Sequence, residues 1–408
     1  MHRPSRVPVR RVATVAVVAV CLGYAPIAMT DVWPYAWSGA PAIGQWLLAR
    51  TVSAHYVSDA FATRVGPYRH SLVPLLVHSV LGGLLMLLGP VQLLTAVRRR
   101  IRLHRATGVV FALTVYASMA GAAIYLARTK PADAFSGPAF WITLATILVG
   151  TVLSATFGIL AVLTRFPDLH QRWLLLCYGY LMTAPLLRLE WTALPWVVPG
   201  LSLTQVNQLA IMHLGLVVCL GALLASRALD RRETVPGVHG SWAPWPVLAV
   251  AQLTGAGALA WIVRTYLPWG AGGHRLLLAY LLPLLAAYLV LLLRQRAAGR
   301  QGHGWAREEW RLHLVALCLS PAYSAGAALF LEHSLHLDRR TAFTAGLGIG
   351  GGMLAFAATA VVSLRVMYGR ELRKRERLAA TARPRPAASP APAPAPALSV
   401  THPREQTS

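Results

Sequence analysis

Ten apolar runs divide this chain, and they constrain its fold more than any other feature of the sequence. An α-helix rises 1.5 Å per residue, so about 20 apolar residues cross a hydrocarbon layer of ~30 Å. Because lipid offers no hydrogen bonds to the backbone, runs of this length are predicted to be helices. The predicted spans lie near residues 12–30, 72–97, 108–127, 139–164, 173–194, 208–226, 246–263, 276–293, 312–331 and 342–364.

The charge content agrees with a chain that faces lipid. Only 13% of the residues are charged and 56% are hydrophobic, whereas soluble proteins carry about 25% charged residues. The formal net charge of +24 would suggest a nucleic-acid partner in a soluble protein. In so apolar a chain it does not, and we expect no nucleic-acid binding. The sequence predicts an all-α, polytopic transmembrane helix bundle.

Basic residues fall in alternate loops and so predict the orientation. Most of the 38 Lys and Arg residues precede the first predicted span, lie in every second loop, or follow the last span. Because cytoplasmic loops are enriched in Lys and Arg, both termini are predicted to be cytoplasmic. We expect a multi-pass protein of the bacterial inner membrane. The first span is interpreted as a retained signal anchor, and a cleaved signal peptide is the alternative.

Three segments are predicted to lie outside the bilayer. The external segment 31–71 carries three tryptophans, Trp33, Trp37 and Trp46, which favour anchoring at the membrane interface over a substrate lid. The basic run Arg365–Arg377 is expected to attract membrane lipids with anionic headgroups at the cytoplasmic face. Residues 379–408, rich in Ala and Pro, predict a disordered cytoplasmic tail.

Several short motifs follow one another between residues 72 and 226. They are His78-Ser-Val-Leu-Gly82, Gly89-Pro-Val-Gln92, His104-Arg-Ala-Thr-Gly108, His170-Gln-Arg-Trp173, and single residues Arg188 and His213. In order and spacing this part of the chain resembles a bacterial membrane family, domain of unknown function 2306. The resemblance implies a six-helix membrane unit over residues 1–230 and assigns no activity.

The remaining spans are expected to form a second unit, a four-helix bundle over residues 235–370. It resembles a degenerate copy of predicted spans three to six, since Trp310-Arg311 opens the ninth span as Trp173 opens the fifth. Arg307 stands where His170 would be, and no histidine of the tenth span corresponds to His213. We therefore expect this unit to pack structurally.

The absence of certain residues and motifs from the sequence reduces the number of possible functions. Glu190 is the only acidic residue inside a predicted span, at its outer edge, which disfavours proton- or sodium-coupled transport. The sequence has no P-loop, no H-E-x-x-H zinc motif and no G-x-S-x-G nucleophile elbow. The four cysteines show no C-x-x-C spacing and are interpreted as buried thiols. Whether the protein is an enzyme is left open.

Histidines at matched depths suggest a cofactor. His78 and His213 are both predicted roughly 8–9 Å below the outer surface, and His104 and His170 both begin spans at the cytoplasmic side. Bis-histidine haem ligation needs two helices that present imidazoles at one height. We therefore predict a haem-b electron carrier with His78 and His213 on the iron, and with His104 and His170 as a second pair. Arg188 is expected to pair with haem propionates.

Several alternatives stay open. The histidines would otherwise donate hydrogen bonds between helices, and Arg188 would bind a small anion or a lipid headgroup in a non-catalytic binding or transport protein. Arg188 would otherwise form a salt bridge to Glu190. A further alternative is an assembly or scaffold factor in which the tail is the working part.

Overall fold

The computed structural model describes residues 9–229 and 240–382, and every regular element among them is helical. The α-helices are α1 Val9–Thr30, α2 Ile43–Thr51, α3 Ala54–His70, α4 Leu72–Leu93, α5 Thr95–Arg99, α6 Ile101–Arg128, α7 Pro138–Leu163, α8 Pro167–Leu181, α9 Thr183–Val197, α10 Leu203–Leu229, α11 Trp245–Tyr266, α12 Gly270–Arg300, α13 Gly304–Ser334 and α14 Arg339–Ala382. Short 3₁₀ turns lie at Trp33–Tyr35, Pro131–Asp133 and Leu267–Trp269. The predicted all-α fold is confirmed.

Each predicted span coincides with helix in the structure. Among the described residues, eight segments are long and apolar enough to cross a membrane, and one of them contains both α11 and α12. The fifth predicted span is divided at Met182 into two helices of 15 residues each. Pro185 contributes to this break because it has no N–H to donate to the preceding turn. The number of spans and their orientation remain predictions.

The helices pack in two groups with a shared centre. In the first group α4 packs against α1 and α6, and α6 against α7. In the second group α13 packs against α11, α12 and α14. Because α14 also contacts α7 and α10, the two predicted units share one packed bundle. The boundary between the units remains a prediction.

Several charged residues that the sequence placed outside the spans are buried, and Glu309 and Arg365 are two of them. Glu309 was expected outside the spans, but it belongs to α13 and is 0% exposed. It is buried because α13 begins earlier than predicted and packs this turn against α8 and α10. Arg365 is also buried, with its guanidinium 3.9 Å from the ring of Trp305. It therefore faces protein, not headgroups. Helix α14 continues to Ala382, into the predicted tail, and residues 383–408 lie outside the described residues.

Candidate functional site

Helix α3 places an arginine in the protein interior. Ser53 caps the helix by accepting a hydrogen bond from the backbone N–H of Tyr56 at 3.1 Å. Tyr56, Ala60 and Arg64 then follow at a spacing of four residues, which puts all three on one face, and all are buried. The hydroxyl of Tyr56 donates to the backbone oxygen of Trp191 at 3.1 Å. Since burial raises the pKa of Tyr56, this donor stays protonated and fixes α3 to α9.

Helix α9 supplies the second arginine of the site. Nη2 of Arg188 donates to Oδ2 of Asp31 at 3.1 Å, and the guanidinium lies 4.3 Å from the ring centre of Trp191. The side chains of Arg188 and Asp31 are 22% and 17% exposed. Arg188 therefore pairs with the residue that follows α1, and the predicted alternative of a bridge to Glu190 is wrong.

Arg64 and Arg188 line the same cavity, which we call the arginine cavity. Its volume is about 370 Å³, and it lies between α1, α2, α3 and α9. Ligand pockets in proteins measure about 300–1,000 Å³, so this one is large enough for a small ligand. Among the described residues, Asp31 is the only acidic side chain in its lining, and most of the remaining wall is aliphatic or aromatic.

The guanidinium of Arg64 has no carboxylate partner among the described residues. Its Nε and Nη2 atoms are buried without a hydrogen-bond partner there. The group instead lies 4.0 Å from the ring centre of Phe135 and 5.1 Å from that of Trp191. Among the described side chains, two arginines thus face one carboxylate, and one positive charge of the lining has no acidic partner there. We call Arg64, Arg188 and Asp31 the outer cluster.

A second cavity begins on the other side of the Arg188–Asp31 pair. It has a volume of about 210 Å³ and is lined by His78 and Ser118, and we call it the histidine cavity. Nδ1 of His78 lies 3.1 Å from both the backbone oxygen and the hydroxyl oxygen of Ser118. The side chain of His78, which belongs to α4, is thus held by contacts with the neighbouring helix α6.

His213 occupies a different environment from His78. Its Nδ1 lies 3.1 Å from the backbone oxygen of Leu209, and its Nε2 lies 3.0 Å from Oε1 of Glu190. Because a carbonyl oxygen can only accept, Nδ1 carries a hydrogen, and the contact with Glu190 then needs a further proton on this pair. Both ring nitrogens are engaged, and His213 does not line the histidine cavity. The geometry therefore does not support a haem iron between His78 and His213.

The second predicted pair lies at the opposite end of the bundle. His104 is in the first turn of α6, and His170 in the first turn of α8, with its Nδ1 2.8 Å from the backbone oxygen of Gly158. The two rings lie within electrostatic range of each other. Neither lines the arginine cavity or the histidine cavity, so the role predicted for them stays a prediction. Among the described residues, no group of three His, Cys, Asp or Glu side chains is placed to hold a metal ion.

A second set of two arginines and one carboxylate lies towards the opposite end of the bundle from the outer cluster. Arg172 of α8 donates hydrogen bonds to both carboxylate oxygens of Glu309, and its bond to Oε2 measures 3.0 Å. Arg227 of α10 also donates to Oε2, at 2.8 Å. Arg172 also contacts the hydroxyl of Ser226 at 3.3 Å. We call Arg172, Arg227 and Glu309 the inner cluster. The cavity beside it measures about 60 Å³.

Sequence reasoning found Arg188 and missed Arg64. The signal for Arg64 was present, because Tyr56, Ala60 and Arg64 stand at the spacing of one helical face. What the sequence does not show is which face of a short helix outside the predicted spans is buried. Asp31 was also missed as a partner, since only the fold brings the end of α1 beside α9.

Comparisons with known proteins agree with the predicted family resemblance. Residues 75–226 match the family model described as "Predicted membrane protein (DUF2306)". No curated protein and no solved structure gives a match. The matched part includes Arg188 and Arg172, whereas Arg64 and Asp31 precede it and Arg227 and Glu309 follow it. Both clusters thus join family-matched residues to residues outside the match.

Proposed function

We propose that this polytopic membrane protein binds an anionic group, a lipid headgroup or a small anion, in the arginine cavity. The observation that carries the proposal is Arg64, a buried guanidinium that lines a cavity and has no acidic partner among the described residues. A buried charge without a partner costs several kcal/mol. An anion between Arg64 and Arg188 would remove that cost.

The other polar groups of the cavity are suited to the same ligand. Nε2 of Gln45 and the hydroxyl of Tyr35 are buried in the cavity wall without hydrogen-bond partners in the described part of the chain. Both can donate a hydrogen bond. Donors on α2, on α3 and in the turn after α1 thus surround one space, together with Arg188 of α9. A phosphate or carboxylate has several acceptor oxygens and would satisfy them together.

The walls and the surroundings favour a ligand that belongs to the membrane. Most of the cavity lining is apolar, from Ala19 and Ile27 of α1 to Leu48 of α2. Trp37 and Trp46, on the same external segment, are more than half exposed. Tryptophan is enriched at the boundary between lipid and water. These features support an anionic headgroup as the ligand, with apolar walls beside it for the attached chain.

The test is anion binding to the purified full-length protein in nanodiscs of phosphatidylcholine. The probes are dioctanoyl phosphatidylglycerol, inorganic phosphate and acetate, measured by titration calorimetry and by the shift of the unfolding temperature. We expect Arg64→Gln to weaken binding by about tenfold or more, since a hydrogen bond to a charged group contributes about 1.5–3 kcal/mol. The matched control is Arg69→Gln, an exposed arginine of the same helix.

The outcomes separate the two sources of the anion. Binding of phosphatidylglycerol without phosphate or acetate identifies a lipid headgroup, and binding of the free anions identifies a small-anion site. If no probe binds, or if Arg64→Gln and Arg69→Gln behave alike, the proposal is overturned. A Soret band in protein from haem-sufficient cells, lost in a His78 variant, would overturn it in favour of the electron carrier.

A further inference from the structure

The arginine cavity and the histidine cavity share part of their walls. Tyr24, Asp31, Arg188 and Trp191 line both of them. The boundary between the two spaces is therefore the Arg188–Asp31 ion pair, which is partly exposed and joined by one hydrogen bond of 3.1 Å. A ligand that engages Arg188 competes with Asp31 for the same guanidinium. Its bound position thus lies at the entrance to the histidine cavity.

The histidine cavity is suited to a part of a ligand and not to a whole one. Its volume of about 210 Å³ is below the ~300 Å³ at which separate ligand pockets begin. Among the described residues, Arg188 and Asp31 at the boundary are its only permanently charged side chains, His78 and four tyrosines are titratable, and most of the remaining lining is apolar. The hydroxyls of Thr143 and Thr146 donate to backbone oxygens of their own helix and so offer the cavity no free donor. An apolar group fits this lining.

His78 adds one specific polar contact to this apolar space. Its Nδ1 lies 3.1 Å from the backbone oxygen of Ser118, which can only accept a hydrogen bond, so Nδ1 carries the hydrogen. In the neutral imidazole Nε2 is then an acceptor. Nε2 has no partner among the described residues, and His78 lines the cavity. The complementary group is a neutral donor, either a hydroxyl or an amide N–H.

We propose that the ligand of the arginine cavity is a single-chain acidic amphiphile whose apolar end enters the histidine cavity and donates a hydrogen bond to Nε2 of His78. This inference rests on the proposed function, since it extends the ligand of that site. The anionic head lies between Arg64 and Arg188, and the chain passes the Arg188–Asp31 pair. Head and chain are thus recognised by different residues, which allows them to be tested separately.

The test uses acetate, hexanoate, octanoate and decanoate, together with the ω-hydroxylated form of each longer acid. Affinities are measured by calorimetry on the full-length protein in phosphatidylcholine nanodiscs. Gly82 lines the histidine cavity, and a Cβ atom added there meets no atom within 4 Å. Gly82→Leu therefore adds a side chain at the cavity wall without a clash at its Cβ. The control is Gly257→Leu in α11, where an added Cβ also meets no atom within 4 Å; Gly257 lines neither cavity.

For the wild type we expect affinity to rise with chain length by about fourfold per buried methylene. The ω-hydroxyl should add about two- to tenfold at the length that reaches His78. Gly82→Leu should bind acetate normally and lose the gain of the longer acids, whereas Gly257→Leu should match the wild type. His78→Phe should remove only the preference for the hydroxylated acids.

If Gly82→Leu follows the wild type through the whole series, or if His78→Phe keeps the hydroxyl preference, the inference is overturned and the anion site still stands. If the acids, phosphate and dioctanoyl phosphatidylglycerol all fail to bind to the wild type, or if Arg64→Gln binds them normally, the proposed function fails, and the inference fails with it. If phosphate or phosphatidylglycerol binds and none of the acids does, the inference alone is overturned.

Discussion

The inner and outer clusters contain the same charged groups, two arginines and one carboxylate, but they differ in hydrogen bonding, exposure and cavity volume. In the inner cluster both oxygens of Glu309 accept hydrogen bonds from arginine, and Glu309 is 0% exposed. In the outer cluster one hydrogen bond joins Arg188 to Asp31, and Arg64 has no acidic partner in the described part of the chain. The cavity beside the inner cluster measures about 60 Å³, against about 370 Å³ at the outer one.

The difference shows that charge composition does not decide the role of such a group. A carboxylate that accepts hydrogen bonds from two arginines at both of its oxygens has its own buried charge compensated and joins three helices. An arginine that is buried without an acceptor stores an unfavourable free energy that a ligand can remove. We therefore assign the inner cluster to stability and the outer cluster to binding, and four changes test that assignment.

The largest effect is expected for Glu309→Gln. Arg172 and Arg227 would then remain buried without their shared carboxylate, and breaking a buried ion pair costs about 3–5 kcal/mol. The free energy of unfolding, measured by denaturation with dodecyl sulfate in mixed micelles, should fall by that amount. Glu371→Gln, an exposed residue of α14, should change it by less than about 0.5 kcal/mol. Equal stability of the two variants would contradict the role given to the inner cluster.

Replacement of an arginine by methionine should change the free energy of unfolding in opposite directions in the two clusters. Arg172→Met removes one partner of buried Glu309 and should destabilise the protein. Arg64→Met removes a buried charge without an acceptor, and should raise the free energy of unfolding of the ligand-free protein by about 1–3 kcal/mol. The same denaturation measures both, with Arg69→Met as the exposed control. A loss of stability in Arg64→Met would show that Arg64 is structural.

Asp31→Asn should strengthen anion binding at the outer cluster. Asp31 competes with the ligand for Arg188, and its side chain is partly exposed, so the effect is that of a weak ion pair. We expect acetate to bind about two- to fivefold more tightly, as measured by calorimetry. Asp133→Asn provides the control, since Asp133 is exposed and does not line the arginine cavity. Weaker binding in Asp31→Asn would mean that Asp31 positions Arg188 for the ligand.

The smallest effect is expected from salt. Raising the ionic strength from about 0.1 M to about 1 M shortens the Debye length from about 10 Å to about 3 Å. Acetate binding at the partly exposed outer cluster should weaken a few-fold. The stability difference between wild type and Glu309→Gln should stay nearly constant, because fully buried charges are screened much less. Similar salt dependence of both quantities would remove the contrast between the clusters.

The fold was largely predictable because its main determinant is local. A run such as residues 139–164 must be helical in lipid whatever its neighbours are, and α7 covers Pro138–Leu163. The break at Met182 was not predicted, although Pro185 is visible in the sequence, because a proline in a membrane helix is often tolerated. The early start of α13 was missed because hydropathy places Glu309 at a helix end, and only packing with α8 and α10 buries it.

The site was predictable only in part because it depends on contacts between distant segments. Arg188 was recognised as a charge near the outer end of a span. Its partner Asp31 lies 157 positions away in the chain, and no local pattern joins the two. Two histidines at equal depth are necessary for ligands of one haem iron. Depth alone, however, does not predict whether the side chains of His78 and His213 face each other. His213 contacts Glu190, whereas His78 contacts Ser118.

The link between Arg172, Arg227 and Glu309 also bears on how the chain enters the membrane during synthesis. Translation proceeds from the N-terminus, so α8 and α10 leave the ribosome well before α13. Until α13 arrives, the hydrogen bonds that join α8 and α10 to Glu309 cannot form. Closure of this part of the bundle is thus expected to be a late event of assembly, set by the arrival of one glutamate.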